Sequence, residues 1–169
     1  KRSRPRVQLM TTPTLSIQNL TVDIPTRHGV LRPVSGVSYD IAPGEILGVV
    51  GESGAGKSMA GNAVIGLLNP PAHISSGEIH LNGTRIDHLS GDAMRRLRGK
   101  QIGMVFQDPL TSLNPLLKIG DQLSETMRAH LDISAADARN RAIASLKEVG
   151  IPGAAQRGDS YPHEFSGGM

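Results

Sequence analysis

The stretch that most constrains this chain is "EILGVVGESGAGKS", residues 45–58. An apolar run is followed at once by eight residues holding three glycines, a lysine and two serines. Nothing in those eight can build a core. Residues 51–58 fit the pattern G-x-x-x-x-G-K-[ST] of a phosphate-binding loop. Gly51, Gly54 and Gly56 lack a Cβ, so successive N–H groups there can turn inward on an anion. The helix expected to follow adds its N-terminal donors and the positive end of its dipole. In this pattern Lys57 reaches the β- and γ-phosphates and Ser58 offers a hydroxyl to Mg²⁺. Glu52, Ser53 and Ala55 complete the cradle through their backbone. The apolar run before it reads as a strand buried on both faces, a rigid mount for a pliable loop.

The remaining pattern alternates strands and helices. "LSIQNLTVDI" (15–24) is rich in β-formers, and "GVSYDI" (36–41) sets Val37, Tyr39 and Ile41 on one face. "GEIHLNGTRI" (77–86) reads as a hairpin with a type I′ turn at Asn82-Gly83. "IGMVFQ" (102–107) is a second strand of buried type. Helices are expected over 58–68, stopped by Asn69-Pro70-Pro71, over 92–99, and over 134–150. In the last of these Ser134 is the N-cap, Asp137 sits at the capping-box position, and Gly150 ends the helix. Its apolar face comprises Ala142, Ile143, Leu146 and Val149.

Composition narrows the classes. With 169 residues there is room for one domain. There is no cysteine, which rules out disulfides and thiolate metal sites. The six histidines have no ligand spacing. No segment approaches the ~20 apolar residues of a membrane span. Net charge is +3, and four of the basic residues fall in the first six positions, so the remainder is nearly neutral and nucleic acid is not an expected partner. Residues 1–13 read as a disordered basic leader, with Met10 as the natural start and residues 1–9 as upstream sequence.

Three stretches beyond the loop carry a resemblance. "GVLRPVSGVSYDIAPGEILGVVGESGAGKS" (29–58), "MVFQDPLTSLNPLLKIGDQL" (104–123) and "YPHEFSGGM" (161–169) resemble, in that order, the first β region, the Q-loop region and the signature of ABC ATPases. "DPLTSLNP" together with "YPHEFSGGM" resembles more closely the ATPase subunits of dipeptide and oligopeptide importers, a branch that includes glutathione and nickel importers. The resemblance covers residue 14 to the end. It implies an α/β fold, a P-loop NTPase of the ABC nucleotide-binding type. An antiparallel β subdomain would occupy about 14–45 and 77–86, the core about 46–70 and 100–109, and a helical subdomain about 110–169.

The resemblance also implies function. Residues Gly51 to Ser58 would bind ATP, with Lys57 catalytic. Gln107 would act on Mg²⁺ or the attacking water and sense the γ-phosphate. Ser166, Gly167 and Gly168, placed at the start of a helix, would close over ATP held by a second ABC ATPase subunit, identical or not. Transmembrane permease subunits and a periplasmic or extracellular solute-binding protein would be the further partners. The location implied is peripheral, on the cytoplasmic face of the inner membrane. Phe165 and Met169 replace the usual Leu and Gln of the signature, as suits the peptide-importer branch. The family stacks adenine on an aromatic ahead of the loop, whereas residues 21–34 contain none; Ile24 and His28 are the side chains available there. Family members continue past the signature into an apolar strand ending in Asp-Glu and then a switch histidine. The chain stops at Met169, so it reads as the N-terminal part of a longer subunit, with one face of "EILGVV" exposed and hydrolysis by this part alone severely impaired. The rival readings are an ABC ATPase acting on DNA or ribosomes and a remnant that binds nucleotide without turnover.

Overall fold

A computed structural model describes residues 12–106 and 112–169. The chain divides into two compact units, one ending at Arg95 and one beginning at Arg96.

The first unit is built on a four-stranded antiparallel sheet in the order β2-β1-β3-β4. Its strands are β1 (Leu15–Thr26), β2 (Gly29–Ile41), β3 (His73–Leu81) and β4 (Thr84–Arg85). Strand β1 lies at the centre, paired with β2 on one side and β3 on the other. Ile17, Leu20, Val22 and Ile79 are its most deeply buried large side chains. The β3–β4 turn forms as the sequence predicts, with φ of 49° at Asn82 and 79° at Gly83. Leu81 pairs with Thr84, which is the register a two-residue loop imposes.

Helix α1 (Lys57–Val64) packs on this sheet. It ends well before the expected proline stop. Gly66 takes a φ of 64°, its N–H donates to Ala63 O at 3.1 Å, and Leu67 N–H donates to Asn62 O at 2.8 Å. Those two bonds are a Schellman cap, and the left-handed glycine is what permits it. Helix α2 (Gly91–Leu97) follows, as its basic pattern predicts.

The second unit is helical, with α3 (Ile119–His130), α4 (Ala135–Glu148) and the single turn α5 (Ala154–Arg157). Ile119, Leu146 and Ala154 form its core, with Leu113, Leu123, Ile143, Ile151 and Phe165 packed around them. Ser134 Oγ accepts the Asp137 N–H at 3.0 Å, the cap the sequence predicts. Val149, expected on the apolar face, is 73% exposed. It is the C-cap residue, where the helical path has already turned, and Ala138 takes the buried place instead.

Two expected strands, 45–50 and 102–107, are not found among the described residues; Ile102 makes an isolated bridge with Arg98, and Gln107 lies outside the described residues. Residues 45–50 and 103–106 carry no strand assignment, and no described strand is paired with them. Ile46 is 96% exposed, Val50 94% and Val105 91%. A continuous apolar run becomes a buried strand only where neighbours satisfy its backbone on both edges. Among the described residues these runs have no such neighbours. The expectation that a face of 45–50 is exposed agrees with this.

Candidate functional site: the phosphate loop and the Ser166 turn

Residues 51–56 fold into a tight loop that leads directly into α1, whose first two residues are Lys57 and Ser58. Gly54 and Gly56 take φ of 84° and 82°, and Ala55 N–H donates to Glu52 O at 3.2 Å. Lys57 turns back over the loop. Its Nζ donates to Gly51 O at 2.6 Å and to Glu52 O at 2.7 Å. The ammonium therefore sits at the mouth of the loop, with the third of its N–H donors available to an anion.

Gly56 is fixed twice over. It is the left-handed N-cap of α1, and its O accepts the Ala60 N–H at 2.9 Å that begins the helix. A Cβ there would collide with Pro33 O and lie 3.3 Å from Val34 Cγ2. Strand β2 thus braces the end of the loop from behind. This contact joins residues 23 positions apart, and no local pattern announces it. Gly51 has a smaller constraint, since a Cβ there would meet Ala55 Cβ at 3.3 Å.

The loop suits a polyphosphate electrostatically. Its residues 51–55 are exposed, the first turn of α1 contains no acidic side chain, and Ser58 stands exposed on that turn. N–H groups at a helix N-terminus and an ammonium are donors suited to a polyphosphate, and a hydroxyl oxygen beside them is suited to its metal ion. Gln107, the other residue predicted to touch Mg²⁺, lies outside the described residues.

Ser166, Gly167 and Gly168 lie in the second unit. Met169 N–H donates to Ser166 O at 2.9 Å, which makes a turn. The two glycines have another property. A Cβ on either meets nothing within 4 Å, and neither has a φ in the left-handed region. Packing within the unit therefore does not require glycine at 167 or 168. The missing side chains leave open backbone to whatever approaches from outside.

Residues 34–169 match the sequence profile of the ABC transporter family. The chain is 45% identical over 156 residues to the dipeptide transport ATP-binding protein DppD of Bacillus subtilis (strain 168), covering 92% of this chain and 47% of that one. Against the oligopeptide transport ATP-binding protein OppD of the same organism identity is 43% over 156 residues, covering 92% and 44%. Among solved structures, a dimer of the ATP-binding cassette MJ0796 in a post-hydrolysis state bound to ADP and Pi superposes with a TM-score of 0.79 at 24% identity, over 91% of this chain and 64% of that one. The chain belongs to the ABC transporter family, and its fold is that of an ABC nucleotide-binding cassette. Within the family its relatives are peptide-transport ATP-binding proteins, and it spans about half the length of the curated relatives it matches.

Proposed function

We propose that this chain is the ATP-binding part of a peptide-importer subunit, and that the complete protein couples ATP binding and hydrolysis to uptake of peptides or a related small solute. One observation carries the proposal: the Gly51–Ser58 loop folds around Lys57 Nζ at the N-terminus of α1. The names of the relatives supply the transported class.

In this reading the loop amides and Lys57 hold the β- and γ-phosphates, and Ser58 is the protein's ligand to Mg²⁺. The ion supplies charge neutralisation on the phosphates when bound. Lys57 stabilises the charge that develops as the terminal phosphoryl group moves to water. In this reading Gln107 acts on Mg²⁺ or the attacking water. The open turn at Ser166, Gly167 and Gly168 faces nucleotide held by a second cassette, so that ATP joins the two. Permease subunits and a solute-binding protein are the further partners, and the site of action is the cytoplasmic face of the membrane. Among the described residues no helix is long and apolar enough to cross a membrane.

The test is ATP binding by Lys57→Ala. Losing contacts to two phosphates, each worth about 1.5–3 kcal/mol, weakens ATP binding by more than about 100-fold. Titration with a fluorescent ATP analogue reads this directly. Parental affinity in the variant would sink the proposal.

A further inference from the structure

The second unit contains a polar knot that the phosphate loop does not explain. Arg139, on α4, donates through Nη1 to Asp121 Oδ1 at 3.1 Å and through Nη2 to Asp159 Oδ1 at 2.7 Å. Lys118 Nζ lies 3.7 Å from the same Asp159 oxygen. Beneath this bridge the backbone is stitched as well: Ile119 N–H donates to Ser160 O at 3.0 Å and Gly120 N–H to Gly158 O at 2.9 Å. The start of α3 and the segment 158–160 are thus held as one body.

Gly120 shows that the bridge is a demand on the sequence. It is the second residue of α3. Its φ is not left-handed, so the backbone does not ask for glycine. A Cβ at this position would run into the Arg139 guanidinium and would lie 2.7 Å from Gly158 O. The helix accepts a glycine in order to admit the arginine and the close backbone approach.

From the knot a continuous run of contacts reaches Ser166. Glu164 Oε2 accepts the Tyr161 N–H at 2.6 Å. Arg157 Nη1 donates to Glu164 O at 3.0 Å, and its guanidinium lies 5.6 Å from the centre of the Phe165 ring. Phe165 packs on the Ile119–Leu146–Ala154 core. Ser166 is the next residue. On the other side, Gln122 Nε2 donates to Asn114 O and Leu117 O, both at 3.0 Å, tying α3 to the chain that emerges from the Gln107 segment.

We propose that Arg139 is a positioning residue: it fixes the Ser166–Gly168 turn against the start of α3, so that the turn meets the polyphosphate of ATP held by a second cassette. The inference rests on the reading of that turn given above. Both carboxylate partners are more than half exposed, and exposed ion pairs add little stability. What the bridge contributes is geometry, since a planar guanidinium with two carboxylate partners fixes direction as well as distance.

The experiment uses the complete transporter. Arg139→Met and Asp159→Asn are expected to lower ATPase kcat about tenfold, the scale of a small misplacement of a reacting group. Fluorescent-ATP affinity should stay within about twofold and the unfolding midpoint within about 2 °C, as for a surface substitution. Arg139→Lys, which keeps the charge but loses the fork, should recover part of the rate. Unchanged kcat in both variants overturns the proposal, and so does a parallel fall of affinity, midpoint and rate, which marks a general folding role. If Arg139→Met does not fold, Asp159→Asn alone decides between these outcomes. Ser166→Arg is the control: normal turnover there overturns the reading of the turn itself, and the positioning role with it.

Discussion

At the scale of single residues, the phosphate loop is held by one glycine more than by the others. Gly56 must be left-handed, must begin a helix without a side-chain cap, and must leave room for Pro33 O. Any side chain violates the first and last of these together. Gly56→Ala is expected to cost about 1–2 kcal/mol in backbone conformation alone, with the steric clash in addition. Its measured signature is loss of ATP binding together with a lower unfolding midpoint. Gly167→Ala is the informative contrast, because a Cβ there meets nothing. The motif predicts that glycine belongs at 56, and that much is legible in "GESGAGKS". That the obstructing atom is a carbonyl on β2 is not, because strand and loop meet only after the sheet has folded.

At the scale of elements, the β3–β4 hairpin carries a polar clasp that sets a pH dependence. Ile79 N–H and Arg85 Nε donate to Asp87 Oδ1 at 2.9 and 3.0 Å, and Arg85 Nη1 reaches Glu78 Oε1 at 2.7 Å. Burial pushes the Asp87 carboxyl up. The Arg85 guanidinium and the Ile79 and Asp87 amides together outweigh it and hold the pKa below the usual carboxylate value. A carboxyl whose pKa falls on folding stabilises the fold above its unfolded pKa, about 3.9. That stability is lost as pH drops through the lower folded value. Acid titration should therefore show the parent losing stability below about pH 4, and Asp87→Asn losing less over the same range while being less stable at pH 7. An equal acid slope in both proteins would remove Asp87 from this role. The hairpin was readable from Asn82-Gly83, whose φ angles local sterics dictate. The clasp was not, since Asp87 reaches a backbone N–H eight residues earlier.

At the scale of the whole molecule, the apolar run before the loop is exposed. Ile46, Val49 and Val50 are all exposed, and among the described residues no strand lies beside them. Exposed apolar surface promotes association. Ile46→Asp in this chain is expected to change stability by no more than about 0.5 kcal/mol and to reduce self-association, as read by light scattering against concentration. A large loss of stability would show that the run is packed after all.

The sequence alone determined the local chemistry. The glycine-lysine-serine spacing of the loop, the Ser134 cap, the Asn82-Gly83 turn and the left-handed Gly150 just past the end of α4 all follow from backbone sterics and near-neighbour hydrogen bonds. These act within a few residues and depend little on the rest of the fold. Tertiary structure decided whatever needed a distant partner. The runs 45–50 and 103–106 have the composition of buried strands, yet a strand is completed by its neighbours, and none is present among the described residues. Helix α1 ends at a glycine cap and not at the proline pair, because Gly66 was free to turn left-handed first. Arg139 has nothing in its own stretch to distinguish it from Arg141. Only the approach of Gly120 and the convergence of Asp121 and Asp159 give it a place, and those contacts exist because the chain brings residues about 20 apart to one point.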